Sequence, residues 1–314
     1  MNKIKYYLCI MIGVMLALSA CIKENMDDCH LGTRIIFSYD EADMGATPKD
    51  ELDLENAILY VFDSSNRFVN SYKIENPQLD EFYDNLISLI PGDYSFVVWF
   101  NPVAPYAITP PNPVRGQTLK SDAHFLLQIP STSGKIINQP ATHFPFVLYG
   151  QKEETIQDNE ENVVMIPVYE NTNRINITLR GLHRTADTYR FSITDDNGIY
   201  TFDNEFAPCD PFSYVTHAQY PSMEETLSAS LTVLQLADNR SPVLSIDNTN
   251  TGENIFPGMI GINNNLIEII RSFYQGDFRK KHLYDIDIEF KEEGLEVWIN
   301  GWELVPFNGE LSPW

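Results

Sequence analysis

The chain has 314 residues, enough for two domains of ordinary size and a sizeable core, and its formal net charge of −23 argues against nucleic acid as a partner. Hydrophobic residues make up 43% and aromatic residues 12%, which excludes a disordered polymer and suits strands better than helix bundles.

At the N-terminus, Lys3 and Lys5 precede an apolar run, Tyr6 to Leu18, interrupted by Gly13 and ending in Leu18-Ser19-Ala20-Cys21. A basic end, a short apolar run and small residues make residues 1–20 a signal peptide; the run falls short of the roughly 20 apolar residues that spanning a bilayer requires. The closing tetrad resembles the lipobox of bacterial lipoproteins, in which small residues admit the peptidase and the Cys thiol takes a diacylglyceryl group. Cys21 is therefore the expected lipidation site. Palmitate-like chains, at roughly 0.8 kcal/mol per buried methylene, would hold it in a leaflet.

Residues 21–32 follow as a polar, acidic tether. Within it Lys23, Glu24, Asp27 and Asp28 resemble the lipoprotein export signal of Bacteroidetes, which implies an outer-membrane, lipid-anchored and surface-exposed protein. Cys9 leaves with the signal peptide, so Cys29 and Cys209 remain either as partners in one disulfide or as two free thiols.

From Thr33 the chain reads as short strands and turns. Arg34–Tyr39 and Ala57–Phe62 come first, the latter followed by Asp63-Ser64-Ser65-Asn66. Leu86–Ile90 and Tyr94–Phe100 flank Pro91-Gly92-Asp93, which reads as a hairpin turn. The Pro-rich stretch Asn101–Arg115 excludes a central strand and reads as a surface connection. Strands are expected again at Phe144–Leu148 and Val163–Val168, with the domain division just after, giving domains 33–168 and 169–314.

The second half has the clearest period-2 pattern: Ile175, Ile177 and Leu179 alternate with Arg174, Asn176, Thr178 and Arg180. Tyr189, Phe191 and Ile193 continue it and lead to Asn197-Gly198, a hairpin signal, before Ile199–Phe202. Leu227–Val233, Ile286–Phe290 and Leu295–Ile299 alternate likewise, and Ile267–Tyr274 reads as one or two helical turns. Closely spaced strands without intervening amphipathic helices predict an all-β chain of two tandem antiparallel β-sandwiches.

Catalytic signatures are missing: there is no H-E-x-x-H, G-x-S-x-G, phosphate-cradling Gly-rich loop or C-x-x-C. His30, His124, His143, His183, His217 and His282 are scattered, with no pair at metal-ligand spacing on a helix, so no metal, cofactor or catalytic residue is expected. Trp99, Trp298, Trp302 and Trp314 are candidates for a sugar-binding platform, although Trp99 within Val97-Val98-Trp99-Phe100 reads as core.

The lipobox, Asp27-Asp28-Cys29, Leu59-Tyr60-Val61-Phe62-Asp63, Pro91-Gly92-Asp93-Tyr94 with the strand to Asn101, and Asn173–Leu179 occur together and in this order. In that order they resemble the FimB-like fimbrial anchor family of Bacteroidetes pili. The resemblance implies two transthyretin-like domains and a lipoprotein that tethers a pilus shaft to the outer membrane and helps regulate its length. It implies strand exchange with a shaft subunit as partner, and no catalytic residues. Members often carry a second Cys before the Leu-Tyr-Val-Phe-Asp-like strand, where this chain has Leu54-Glu55-Asn56-Ala57, so an N-terminal disulfide from Cys29 does not carry over. The competing reading is a surface glycan-binding lipoprotein.

Replacing the acylated thiol gives a direct test. Cys21→Ala is expected to lose all incorporation of a fatty-acid analogue and to be left unprocessed or released, whereas labelling equal to wild type would contradict the lipid anchor.

Overall fold

The computed structural model describes residues 32–40, 47–81, 87–131, 135–139, 144–158, 161–183, 185–221, 225–258, 263–291, 294–299 and 302–303. The first half holds β1 (Thr33–Tyr39), β2 (Asn56–Asp63), β3 (Phe68–Glu75), β4 (Gly92–Phe100), β5 (Tyr106–Thr109), β6 (His124–Leu127), β7 (Ile136–Asn138), β8 (Leu148–Ile156) and β9 (Asn162–Glu170). The second holds β10 (Thr172–Arg180), β11 (Tyr189–Asp195), β12 (Ile199–Thr201), β13 (Phe212–Ala218), β14 (Leu227–Leu234), β15 (Val243–Asn248) and β16 (Asn254–Phe256). A short helix, α1 (Leu266–Arg271), then precedes β17 (Leu283–Lys291), β18 (Gly294–Ile299) and β19 (Trp302–Glu303). The expected all-β class is what the chain adopts. The one or two helical turns are α1, whose first turn is capped by the Asn265 side chain accepting from the Ile267 and Glu268 N–H groups.

A six-stranded sheet, ordered β1-β9-β8-β4-β2-β3, forms the first half's scaffold. Its middle strand β4 is buried on both faces: Phe96, Val98 and Phe100 enter one core, and Val97 and Trp99 enter another. The uninterrupted apolar run Phe96–Phe100 is the sequence form of such a strand. On the Trp99 face lies a three-stranded sheet, β12-β6-β5, with Trp99 stacked on Phe125 at 4.3 Å between ring centroids. Trp99 is thus core, and no sugar platform includes it.

The second half pairs two five-stranded sheets, β14-β10-β17-β18-β19 and β16-β15-β11-β13-β7, over one core. Ile175, Ile177 and Leu179 point into it with Leu231, Ile286 and Ile288 from their own sheet and Phe191, Ile193 and Ile246 from the other. The halves are interlaced. β7 runs parallel to β13 in a sheet of the second half, and β12 pairs with β6 of the first.

Two expected hairpins are replaced by longer-range pairings. Pro91-Gly92-Asp93 does not join two paired strands: Ile87 bridges Thr33, while β4 pairs with β2 and β8. After Asn197-Gly198 the chain leaves β11 for another sheet, with the Gly198 carbonyl accepting from the Leu127 N–H at 2.8 Å. Space favours glycine there, since a Cβ would meet Cys209 Sγ and Phe212 Cε1 at 3.0 Å. The run expected at Phe144–Leu148 starts its strand only at Leu148, and the Pro-rich stretch contributes β5 at a sheet edge, where missing donors are tolerated.

Side chains close the seam between the two five-stranded sheets. The Gln139 amide donates to the Thr232 carbonyl, and the Thr232 N–H donates back to Gln139 Oε1 at 2.8 Å. The Leu234 N–H donates to the Tyr214 hydroxyl at 3.2 Å, and that hydroxyl donates to Asn197 Oδ1 at 2.8 Å. Asn197 Nδ2 donates to the Leu234 carbonyl at 3.1 Å. Thr232 and Leu234, on the outer edge of β14, are thereby satisfied without a further strand.

Asn197→Ala strands a buried carbonyl and a buried hydroxyl, each costing about 1–3 kcal/mol. The expected loss is therefore about 2–6 kcal/mol of unfolding free energy, read from the shift of a denaturant midpoint at unchanged m-value. A loss below about 1 kcal/mol would show that the seam does not depend on this amide.

Candidate functional site

Cys21, Lys23, Glu24, Asp27, Asp28 and Cys29 lie outside the described residues. Cys209 is a half-buried free thiol donating to the Asp210 carbonyl at 3.4 Å, and burial pushes its pKa up, away from reactivity. His282 is buried, its ring nitrogens bonded to the Thr172 and Arg279 carbonyls at 3.2 and 3.0 Å, so it fixes a turn. Among the described residues no group of three or more His, Cys, Asp or Glu side chains is placed to hold a metal ion. None of their helices is long and apolar enough to cross a membrane.

The strand nearest the tether has a built seat. β1 runs parallel to β9 from the pair Thr33–Asn162 to Tyr39–Val168, and Ile35, Phe37 and Tyr39 insert into the core beneath. Its other side is held by Asp80 and Ile87: the Asp80 N–H donates to the Phe37 carbonyl at 2.7 Å, and Thr33 and Ile87 exchange two bonds at 2.8 and 2.9 Å. At the far end the Tyr39 N–H donates to Asp80 Oδ1 at 3.0 Å, and Lys49 pairs with the same carboxylate. The buried Glu170 carboxylate accepts from the Tyr39 hydroxyl at 2.8 Å and from the Thr47 N–H and hydroxyl at 2.7 and 2.9 Å. Backbone pairing, core insertion and a polar clamp therefore act on one strand.

The opposite end of the same sheet is open. Among the described strands β3 pairs with β2 alone; on its outer side the Phe68 N–H and carbonyl meet Thr118 and Gly116, and the Ser71 N–H meets the Asn70 side chain. Exposed Asn70, Lys73 and Glu75 line this edge, the polar and charged composition that keeps an edge strand from indiscriminate pairing. Near β1, the outward face of β9 is apolar as well: Val163, Met165 and Tyr169 are three of the seven large exposed hydrophobic residues of the described chain. Sequence reading identified β1 and β9 but not β3, whose pattern of Phe68–Glu75 alternates weakly, nor which edge is left open, because pairing partners lie far apart along the chain.

The family model of the fimbrillin-A associated anchor proteins Mfa1 and Mfa2 matches residues 26–305. No curated protein sequence matches the chain. Among solved structures, the fimbrial anchor protein Mfa2 from Porphyromonas gingivalis is similar at TM-score 0.65 and 21% identity, over 88% of this chain and 99% of that one. An adhesin candidate from Bacteroides ovatus is similar at TM-score 0.70 and 16% identity, over 90% and 97% of the two chains. A polysaccharide-binding candidate from Bacteroides thetaiotaomicron is similar at TM-score 0.69 and 19% identity, over 87% and 97%. These likenesses establish a shared fold.

The clamp on β1 carries a pH signature. Burial would raise the Asp80 carboxyl, but the Lys49 ammonium and the Tyr39 N–H outweigh it and hold its pKa below the usual carboxylate value. A depressed folded-state pKa stabilises above the unfolded value and loses that contribution as pH falls through the folded one. Protection factors at Thr33–Tyr39 should therefore fall below about pH 4 while those of β4 hold, and Asp80→Asn should reproduce the effect at neutral pH. Equal exchange of β1 in wild type and variant would remove Asp80 from the clamp.

Proposed function

Because the chain belongs to the fimbrillin-A associated anchor family, we propose that it fastens a fimbrial shaft to the outer membrane. Cys21 carries the acyl chains, Lys23, Glu24, Asp27 and Asp28 direct the protein to the outer face, and residues 21–32 span from the lipid to β1. A shaft subunit adds a strand to the sheet. One observation carries this reading: a single six-stranded sheet has the tether-proximal strand β1 at one end and the open edge of β3 at the other.

An added strand at β3 would give each outward N–H and carbonyl a partner, and main-chain pairing supplies affinity without demanding one side-chain sequence. β1 itself stays seated, since it joins the lipid to the body and its removal would cut the link. The anchor is thus a terminal subunit, and its attachment at the shaft's end bears on shaft length. Tension from the shaft enters at β3 and crosses four neighbouring strands to β1, which is loaded along its ladder with β9.

Ser71→Pro removes an edge N–H from β3 and places a ring where a partner strand would lie. The variant should fold with a thermal midpoint near that of wild type and recover far less shaft subunit in a pull-down, at every salt concentration tested. Undiminished recovery would move the docking edge elsewhere, and no recovery with wild type would remove the anchor reading.

A further inference from the structure

Where β8 and β9 of the first half meet the 203–204, 235 and 277–280 segments of the second, a crevice of about 450 Å³ opens to solvent. We propose that it binds a neutral saccharide, with Tyr169 as the stacking face and Gln235 as the hydrogen-bonding floor.

The floor is polar and under-satisfied. Gln235 is only 8% exposed and lines the crevice. Beside it, Asn204 Nδ2 donates to Asn171 Oδ1 at 3.0 Å, leaving Asn204 Oδ1 and Asn171 Nδ2 buried without partners. Buried polar groups are normally paired, and an unpaired one costs about 1–3 kcal/mol, so amides left open beside a crevice point to a ligand rich in hydroxyls. An amide both donates and accepts, which matches a sugar hydroxyl that does the same.

The wall is aromatic and held in place. Tyr169 is 41% exposed, and its ring centroid lies 6.2 Å from that of Tyr149. Tyr149 is buried, with its hydroxyl within hydrogen-bonding distance of two acceptors, Gln151 Oε1 at 2.5 Å and the Phe202 carbonyl at 3.0 Å. A rigid ring with one open face suits the apolar C–H face of a pyranose, and a few oriented polar groups around an apolar surface are the usual make-up of a small-molecule site.

Neutrality follows from the charges already present. Asp277 pairs with Arg279 at 2.7 Å and Asp203 with Lys120 at 2.5 Å, so these carboxylates are answered within the protein and call for no ionic ligand. Tyr169 also lies on β9, four strands from β3, which makes this site separable from shaft docking.

The test is saturation-transfer NMR on the full chain with lactose, maltose, cellobiose and chitobiose as probes and sialic acid as a charged comparison. At least one neutral disaccharide should bind, and Tyr169→Ala and Gln235→Ala should each weaken it about tenfold. Both variants should keep the wild-type thermal midpoint and recover shaft subunit as wild type does. If no neutral disaccharide binds, if sialic acid alone binds, or if Tyr169→Ala binds as wild type, the proposal fails while the anchor reading stands.

Discussion

A strand that is apolar on both faces has to be covered twice, and β4 imposes that condition on the rest of the molecule. Phe96, Val98 and Phe100 need a layer on one side, which Leu52, Ile87, Leu89 and the core residues of β1 provide. Val97 and Trp99 need one on the other, and Phe125, Tyr200 and Phe202 meet them there. Because Tyr200 and Phe202 come from the second half of the chain, covering Trp99 also joins the two halves. The core beneath Trp99 runs without a break into the sandwich built on Ile175, Ile177 and Leu179.

In the proposed role joining matters, because an anchor would bear tension. β7 in a sheet of the second half and β12 beside β6 tie the halves through backbone pairing in both directions. The side-chain seam of Gln139, Asn197 and Tyr214 then satisfies Thr232 and Leu234 at an edge that a simple sandwich would leave open. Force on such a body meets sheet ladders and a shared core instead of a flexible hinge. At the N-terminal end, the ladder of β1 with β9 and the Glu170 clamp hold the strand on which the proposed lipid anchor would pull.

Much of this was legible in the sequence where the physics is local. Alternation in Arg174–Arg180 reports one buried face, and β10 has it. Missing N–H groups in the Pro-rich stretch restrict it to an edge, and β5 is one. What could not be read is pairing between distant segments. Asn197-Gly198 carries the composition of a tight turn, but its glycine answers to Cys209 and Phe212 crowding in from elsewhere, and its asparagine to Leu234 and Tyr214. Gln235 had a faint signal, a lone amide between Leu234 and Leu236, which takes its meaning only from the crevice it lines.

The central claim is that one sheet links membrane and shaft, entered at β3 and left through β1. Hydrogen exchange of the anchor with and without a purified shaft subunit tests it most directly, because an added strand protects the amides it pairs with. New protection concentrated in Val69–Glu75, with β1 unchanged and still protected, is the predicted result. Protection gained elsewhere while β3 exchanges as before, or loss of protection in Thr33–Tyr39 on binding, would contradict it.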